Sequence, residues 1–285
     1  MNNEYTTISF PLFGIEIDPN PVLDIGPLSI HLYGLIIGIG LLLAVFYAYK
    51  RCHRYGLRQD DIIDGVLWIL PFAILCARLY YCIFKWDTYA PNPISVLYIW
   101  NGGLAIYGGI IGAVIGLVVF CRVRKIKLGA FLDLVSLGFL IGQSIGRWGN
   151  FFNREAFGGE TESFLRMGLL NSDTGKVTYH HPTFLYESLW NALGFCLLHW
   201  LSKKRKYDGQ IALCYAAWYG LGRAMIEGLR TDSLYIGPFR VSQLLALISF
   251  LAAATVLVVQ WRKPHPEEAL FVNQKNEKPV EGDEE

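Results

Sequence analysis

Apolar residues in this chain run in long stretches instead of alternating or recurring on one helical face. Seven stretches reach about 20 residues, the length a helix needs to cross a hydrocarbon core. They lie at 31–49, 62–84, 104–120, 130–151, 182–201, 210–229 and 240–261. The pattern predicts an all-α integral membrane protein with seven transmembrane helices. Residues 1–30 lack a cationic start followed by an apolar core, so no cleavable leader is expected and the first span is the first anchor.

Direction follows from the cations between the spans, because cytoplasmic loops hold the excess of Lys and Arg. Sixteen of the 25 lie on one side, among them Lys50, Arg51, Arg122, Arg124, Lys203, Lys204, Arg262, Lys275 and Lys278. Six lie on the other, namely Lys85, Arg154, Arg166, Lys176, Arg230 and Arg240. The bias alternates as seven spans require, which places the N-terminus outside the cytoplasm and the C-terminus inside. The expected organisation is an extracytoplasmic arm over 1–30, a seven-helix domain over 31–261 whose 152–181 loop faces outside, and a cytoplasmic tail over 262–285. The tail is acidic and Pro-containing, and disorder is expected there.

Composition supports this picture. Of 285 residues, 53% are hydrophobic and only 17% charged, with a net charge of +1. A soluble domain carries about 25% charged residues, so a partner other than water covers much of this surface, and membrane lipid is that partner. The lack of a clustered basic face argues against nucleic acid. Cys52, Cys76, Cys82, Cys121, Cys196 and Cys214 form no CxxC pair and read as small buried hydrophobes, so no metal and no cofactor is expected. Gly108, Gly112 and Gly116, and again Gly138, Gly142 and Gly146, recur every four residues as in close helix contacts. No string matches a phosphate-cradling glycine loop.

Ionisable side chains inside a span cost about 2.5 to 3.5 kcal/mol each even on a lenient scale, so each one demands a reason. Arg78, Arg147 and Arg223 fall late in outward-running spans, and Glu187 falls early in an inward-running one. With His31, Tyr33 and Tyr107 they describe a polar layer in the extracytoplasmic half. Arg223, Glu227 and Arg230 are spaced to share a helix face. Glu227 reads either as part of a self-compensating Arg-Glu-Arg ladder or as a functional group. Arg147 and Arg223 together imply an anionic ligand, and planar guanidinium forks suit phosphate. Arg78 either snorkels to the outer interface or touches ligand. Tyr80, Tyr81, Trp86, Tyr89, Tyr98 and Trp100 read as an aromatic belt. Asp64 and Asp133, at inner span ends, need only solvated or capping roles, and His199 reads as interfacial.

The run from Gly146 to Glu155, Gly-Arg-Trp-Gly-Asn-Phe-Phe-Asn-Arg-Glu, resembles the GRxGNFxNxE signature of bacterial prolipoprotein diacylglyceryl transferases, and Ala156-Phe157-Gly158 continues it. The resemblance covers all but about the first 20 residues and the tail. It takes in Tyr33-Gly34, Gly102-Gly103, Gly108-Gly109, His181-Pro182, Leu185-Tyr186-Glu187, Gly222-Arg223, Glu227 and Arg230. One position departs from it: the family commonly has His-Gly-Gly where this chain has Tyr107-Gly108-Gly109.

The resemblance implies transfer of the diacylglyceryl group of phosphatidylglycerol to the lipobox cysteine thiol of a prolipoprotein signal peptide, forming a thioether and releasing glycerol phosphate. It implies a multi-pass protein of the bacterial plasma (inner) membrane with its active site toward the extracytoplasmic leaflet. On this reading Arg147 and Arg223 bind the phosphate and stabilise the leaving group, while Asn150 and Tyr33 donate hydrogen bonds to the head group. Glu155 and Glu227 orient the arginines or take a proton. Gly158, His181, Glu187 and Arg230 line the pocket, and Tyr107 positions substrate.

Two other classes stay open at this level. An outer-half Arg pair also suits a phospholipid or organic-anion transporter, although neither an inner polar layer nor inverted repeats are visible. An intramembrane hydrolase built on Ser144 would need a His base beside it, and no GxSxG string surrounds that serine.

Overall fold

The computed structural model describes residues 5–26, 28–231, 235–237 and 239–276. Residues 277–285 of the expected tail, with Lys278, lie outside them, as do residues 1–4 and Pro27 of the arm. In chain order the elements are β1 (Tyr5–Phe10), β2 (Ile15–Ile17), β3 (Val22–Ile25), β4 (Leu28–His31), α1 (Leu32–Arg51), α2 (Gln59–Phe84), α3 (Trp86–Tyr89), α4 (Ile106–Val123) and α5 (Leu128–Asn153). There follow β5 (Met167–Asn171), β6 (Val177–His180), α6 (Thr183–Ser202), α7 (Gln210–Glu227), β7 (Tyr235–Ile236), β8 (Phe239–Arg240), α8 (Val241–Trp261) and α9 (Phe271–Asn276).

Long helices stand at all seven expected places. Among the described residues, five helical segments are long and apolar enough to cross a membrane: Leu32–Tyr55, Gln59–Phe84, Ile106–Val123, Leu128–Asn153 and Val241–Trp261. The other two, α6 and α7, have 20 and 18 residues and fall outside that set, and both carry ionisable side chains of the polar cluster described below.

The chain divides into two units. The first comprises residues 1–47 and 133–266. Its frame is α5, α6 and α7. At one end Asp133, fully buried, accepts hydrogen bonds from the Gly209 and Ala212 backbone N–H groups (2.9 Å each) and from Arg205 (3.3 Å). Asp133 therefore caps the start of α7, and no part of it is solvated. At the other end the Thr183 hydroxyl, opening α6, donates to the Ala156 carbonyl just beyond α5 (2.6 Å). The two ends make α5 antiparallel to α6 and parallel to α7. Midway, the Ser144 hydroxyl donates to the Ser188 carbonyl (2.9 Å) and the Ser188 hydroxyl to the Ser144 carbonyl (2.8 Å). Trp190 and Trp218 each donate an indole N–H to the other's carbonyl (3.1 Å), with ring centroids 4.2 Å apart. These exchanges lock the helix registers.

The expectation of an all-α chain is corrected here. The first unit also holds a four-stranded antiparallel sheet, ordered β2-β1-β5-β6, and the hairpins β3-β4 and β7-β8. In the sheet Ile8 pairs with Leu169 of β5 and with Ile17 of β2. Ile8, Leu169 and Met167 from its inner face pack with Phe151 near the end of α5 and Phe184 at the start of α6. Alternation in YTTISF and in MGLLN puts apolar side chains on that one face. The sheet thus closes over the helix ends that carry the GRxGNFxNxE run.

The second unit comprises residues 48–132 and 267–285. Here α4 lies against α2 through its glycines. A methyl group on Gly108 would stand 2.6 Å from the Cys76 carbonyl oxygen, and one on Gly112 would stand 2.5 Å from Cys76 Cβ. Only hydrogen fits at this approach, so the spacing of Gly108 and Gly112 is a packing device, whereas a methyl group on Gly142 of the second set would meet nothing within 4 Å. Arg78 does not snorkel. It is buried, and its guanidinium donates to the carbonyls of Ser95 (2.8 Å), Val96 (2.8 Å), Tyr98 (3.2 Å), Gly102 (2.6 Å) and Gly103 (3.1 Å). One side chain thus supplies donors for a segment that lacks a ladder of its own.

Disorder from residue 262 is also corrected, as far as Asn276. Glu267–Ala269 forms a 3-10 turn and α9 follows. Within the second unit Lys127 donates to the Ala269 carbonyl (3.0 Å), and Val272 backs onto Gly56 so closely that a methyl group there would stand 2.9 Å from its Cα. Leu270, Phe271 and Val272 are an apolar triplet inside an otherwise polar segment, and they supply the packing.

Candidate active site

The end of α5 turns back on itself immediately after the motif. Arg154 and Ala156 take left-handed backbone conformations (φ 53° and 57°), uncommon for residues with a side chain. The Glu155 N–H donates to the Asn150 carbonyl (3.0 Å). The reversal brings the Glu155 carboxylate onto two amides of the same motif, Asn150 Nδ2 at 3.0 Å and Asn153 Nδ2 at 3.3 Å. Among the described residues Glu155 thus orients two asparagines directly. Arg154 is turned away and bonded to Asp18 (2.5 Å) and the Pro19 carbonyl (2.6 Å), which ties the N-terminal arm to this turn.

The arginines meet around one carboxylate. Glu187, in the first two turns of α6, places Oε2 at 2.5 Å from Arg147 Nη2. Its Oε1 accepts from Arg223 Nη1 at 3.1 Å and from Arg230 Nη1 at 3.2 Å. Arg223 continues to Glu227, whose Oε2 lies 2.6 Å from Nη2, one helical turn along α7. Arg240 donates to the Glu227 backbone carbonyl. Arg147 also reaches Asn150 Oδ1 at 3.4 Å, which couples the cluster to Glu155. Arg223 and Glu227 form one rung of the expected ladder, and Arg230, beyond the end of α7, reaches Glu187.

Three guanidiniums thus surround two carboxylates, leaving a net positive charge. Glu227 and Glu187 are 1% and 4% exposed and Arg230 is 9% exposed, whereas the Arg147 and Arg223 side chains keep 25% and 17%. The two arginines with open surface are the ones available to an anion. Buried ions this close stabilise only when each is paired, and here Glu187 pairs with Arg147, Arg223 and Arg230 while Glu227 pairs with Arg223.

Gly158, His181 and Tyr33 are closely packed within the first unit. A methyl group on Gly158 would stand 2.7 Å from His181 Cβ and 2.8 Å from the Leu229 carbonyl, so glycine is required where three chain segments cross. The crossing is sealed by hydrogen bonds from Gly158 N–H to the His181 carbonyl (2.9 Å) and from Gly159 N–H to the Leu229 carbonyl (2.8 Å). His181 faces Tyr186 Oη across 3.4 Å, and burial lowers its pKa below the usual imidazole value. The ring of Tyr33 lies against Gly149, whose position would bring a methyl group within 2.7 Å of it. Tyr107 belongs to the second unit and is 55% exposed. The Ser144 hydroxyl is engaged with Ser188. Sequence reasoning ranked Glu187 below the arginines it joins and counted Arg240 only as a loop charge. Glu187 is marked by its place inside an apolar run, whereas no local signal marks Arg240.

Residues 20–259 match the family model for prolipoprotein diacylglyceryl transferase. A phosphatidylglycerol–prolipoprotein diacylglyceryl transferase of Limosilactobacillus reuteri is 43% identical over 263 residues, covering 89% of this chain and 95% of the relative. The protein of the same name from Enterococcus faecalis is 44% identical over 271 residues, 92% of this chain and 93% of the relative. That of Streptococcus agalactiae is 43% identical over 251 residues, 86% and 98%. Mostly helical and multi-pass in the membrane, the chain belongs to the prolipoprotein diacylglyceryl transferase family.

Proposed function

We propose that the Arg147–Glu187–Arg223 cluster is where this transferase moves the diacylglyceryl group of phosphatidylglycerol onto the lipobox cysteine thiol of a prolipoprotein. One observation carries the reading: a single buried carboxylate holds three guanidiniums, and the two with open surface are Arg147 and Arg223. The phosphodiester binds these two at their open surface.

The cysteine sulfur then attacks the glyceryl carbon. A C–S bond forms as the C–O bond to phosphate breaks, and the electron pair passes to the phosphate oxygen. Over the whole reaction the thiol proton ends on the released glycerol phosphate. Charge grows on the leaving oxygen, and preorganised guanidiniums in a site of low dielectric stabilise that growth more than they stabilise the ground state. The same positive field favours the thiolate over the thiol. Glu187 and Glu227 hold the arginines in place, Asn150 and Tyr33 donate to the head group, and Glu155 fixes Asn150.

The membrane arrangement belongs to the same proposal. Helices α1, α2, α4, α5, α6, α7 and α8 span the plasma membrane, with the N-terminus outside and α9 in the cytoplasm. The asymmetry of Lys and Arg supports this direction and puts the cluster in the extracytoplasmic half. The test is mass spectrometry of a lipobox peptide incubated with the purified protein in nanodiscs containing phosphatidylglycerol, beside a Cys→Ser peptide. A thiol-dependent gain of one diacylglyceryl group is expected. Transfer without phosphatidylglycerol, or to the serine peptide, would overturn the proposal.

A further inference from the structure

One helical turn from the arginine cluster the first unit carries a second polar layer. Gln143 precedes Arg147 by four residues on α5, and Asn191 follows Glu187 by four on α6. Because α5 and α6 are antiparallel, with Asp133 meeting Arg205 at one end and Ala156 meeting Thr183 at the other, both positions lie on the same side of the Arg147–Glu187 pair. On α7 the matching positions are Tyr219 and Tyr215, one and two turns before Arg223. The Trp190–Trp218 exchange sets Asn191 and Tyr219, the next residues along, at one level. Gln143 donates its amide N–H to Tyr215 Oη at 2.9 Å.

Two acceptors in this layer have no donor. Asn191 is 3% exposed, and its Oδ1 is buried without a hydrogen-bond partner among the described residues. Gln143 Oε1 is buried in the same condition. Native interiors rarely leave such oxygens unmet, so an orphaned pair beside a binding cluster points to a ligand that brings donors.

We infer that Asn191 and Gln143 form the floor that receives the two free hydroxyls of the glycerol head group, and so select a neutral diol head group. The inference rests on the reading of the arginines as the phosphate site. A turn of helix is about 5.4 Å, and a three-carbon diol esterified to a phosphate held by Arg147 and Arg223 spans that separation. The layer itself is uncharged, and the cluster beside it carries excess positive charge. An ammonium head group is therefore repelled, while hydroxyls meet two open acceptors. A site built to hydrogen-bond a hydroxyl rejects the analogue that lacks it, because its own buried groups then go unpaired.

The test compares phosphatidylglycerol with phosphatidylpropanol, which carries the same diacylglyceryl group and phosphate without the head-group hydroxyls. The readout is the ratio of kcat/KM for transfer to a lipobox peptide. The protein as it stands is expected to prefer the diol lipid by tenfold or more, and Asn191→Leu to reduce that preference to within about threefold of unity. The ratio does not depend on the fraction of protein that is folded. Gln143→Leu carries the same expectation if Asn191→Leu yields no folded protein. A starting preference near one, or variants that slow both lipids equally, would overturn the inference and leave the oxygens to internal water. Failure of the underlying reading looks different: Arg147→Lys would then transfer from both lipids at the normal rate, whatever the ratio.

Discussion

Glu187 and Arg147 meet at 2.5 Å, on different helices and 40 positions apart, and the same carboxylate also holds Arg223 and Arg230. Removing its charge leaves three guanidiniums facing one another around a single remaining carboxylate. Breaking a buried ion pair by deleting one partner costs roughly 3–5 kcal/mol, most of it from the ion left behind. Glu187→Gln is expected to lower the thermal midpoint and to cut transfer at least tenfold, measured on the same purified sample. A midpoint within a degree of the parent would show that the arginines do not depend on this carboxylate.

Arg78 makes a contrasting prediction, about stability alone. Five carbonyls share its guanidinium, and a lysine has neither the fork geometry nor enough donors to replace it. Arg78→Lys is expected to cost about 2–3 kcal/mol and to expose the segment between Asn92 and Gly103 to protease. Limited proteolysis read by mass spectrometry checks this, and unchanged cleavage there counts against the clamp.

Packing in the second unit is testable at Gly112. A side chain there collides with Cys76 Cβ, on a neighbouring helix backbone that cannot turn aside. Gly112→Val should destabilise by about 1–3 kcal/mol through overpacking, whereas Gly142, which has no neighbour within 4 Å, should tolerate alanine. Thermal midpoints of the two variants should separate clearly.

For His181 the prediction concerns pH. Burial lowers its pKa in the folded protein, so the unfolded chain binds the proton more readily. Stability from this group is therefore whole above the unfolded pKa of about 6.5 and declines as pH falls below it toward the folded value. The thermal midpoint of His181→Gln should fall less steeply below that pH than the parent's. Identical slopes would mean that the imidazole is equally solvated in both states.

Much of this architecture can be read along the chain because a bilayer punishes exceptions. Each long helix stands within a few residues of an apolar run, and Arg147, Arg223 and Glu187 stand out because ions in such runs need a partner. Partnership itself is invisible, since it joins residues 36 to 43 positions apart across helices. The same holds for the sheet: β1 finds β5 some 160 residues later, and a five-residue strand such as MGLLN has too little alternation to declare itself alone. In Arg78 the charge was legible and its purpose was not, because main-chain carbonyls of an irregular segment carry no sequence signature. The order of α9 was missed for a related reason, as one apolar triplet is outweighed by the charged residues around it.

The most direct measurement is turnover of a lipobox peptide by Arg147→Ala and Arg223→Ala, each purified, folded by thermal shift, and supplied with phosphatidylglycerol in nanodiscs. If these two guanidiniums hold the phosphate and stabilise its departure, each variant should lose at least a hundredfold in kcat/KM, about 2.7 kcal/mol of transition-state stabilisation. Near-normal turnover by either variant would show that the phosphodiester is held elsewhere.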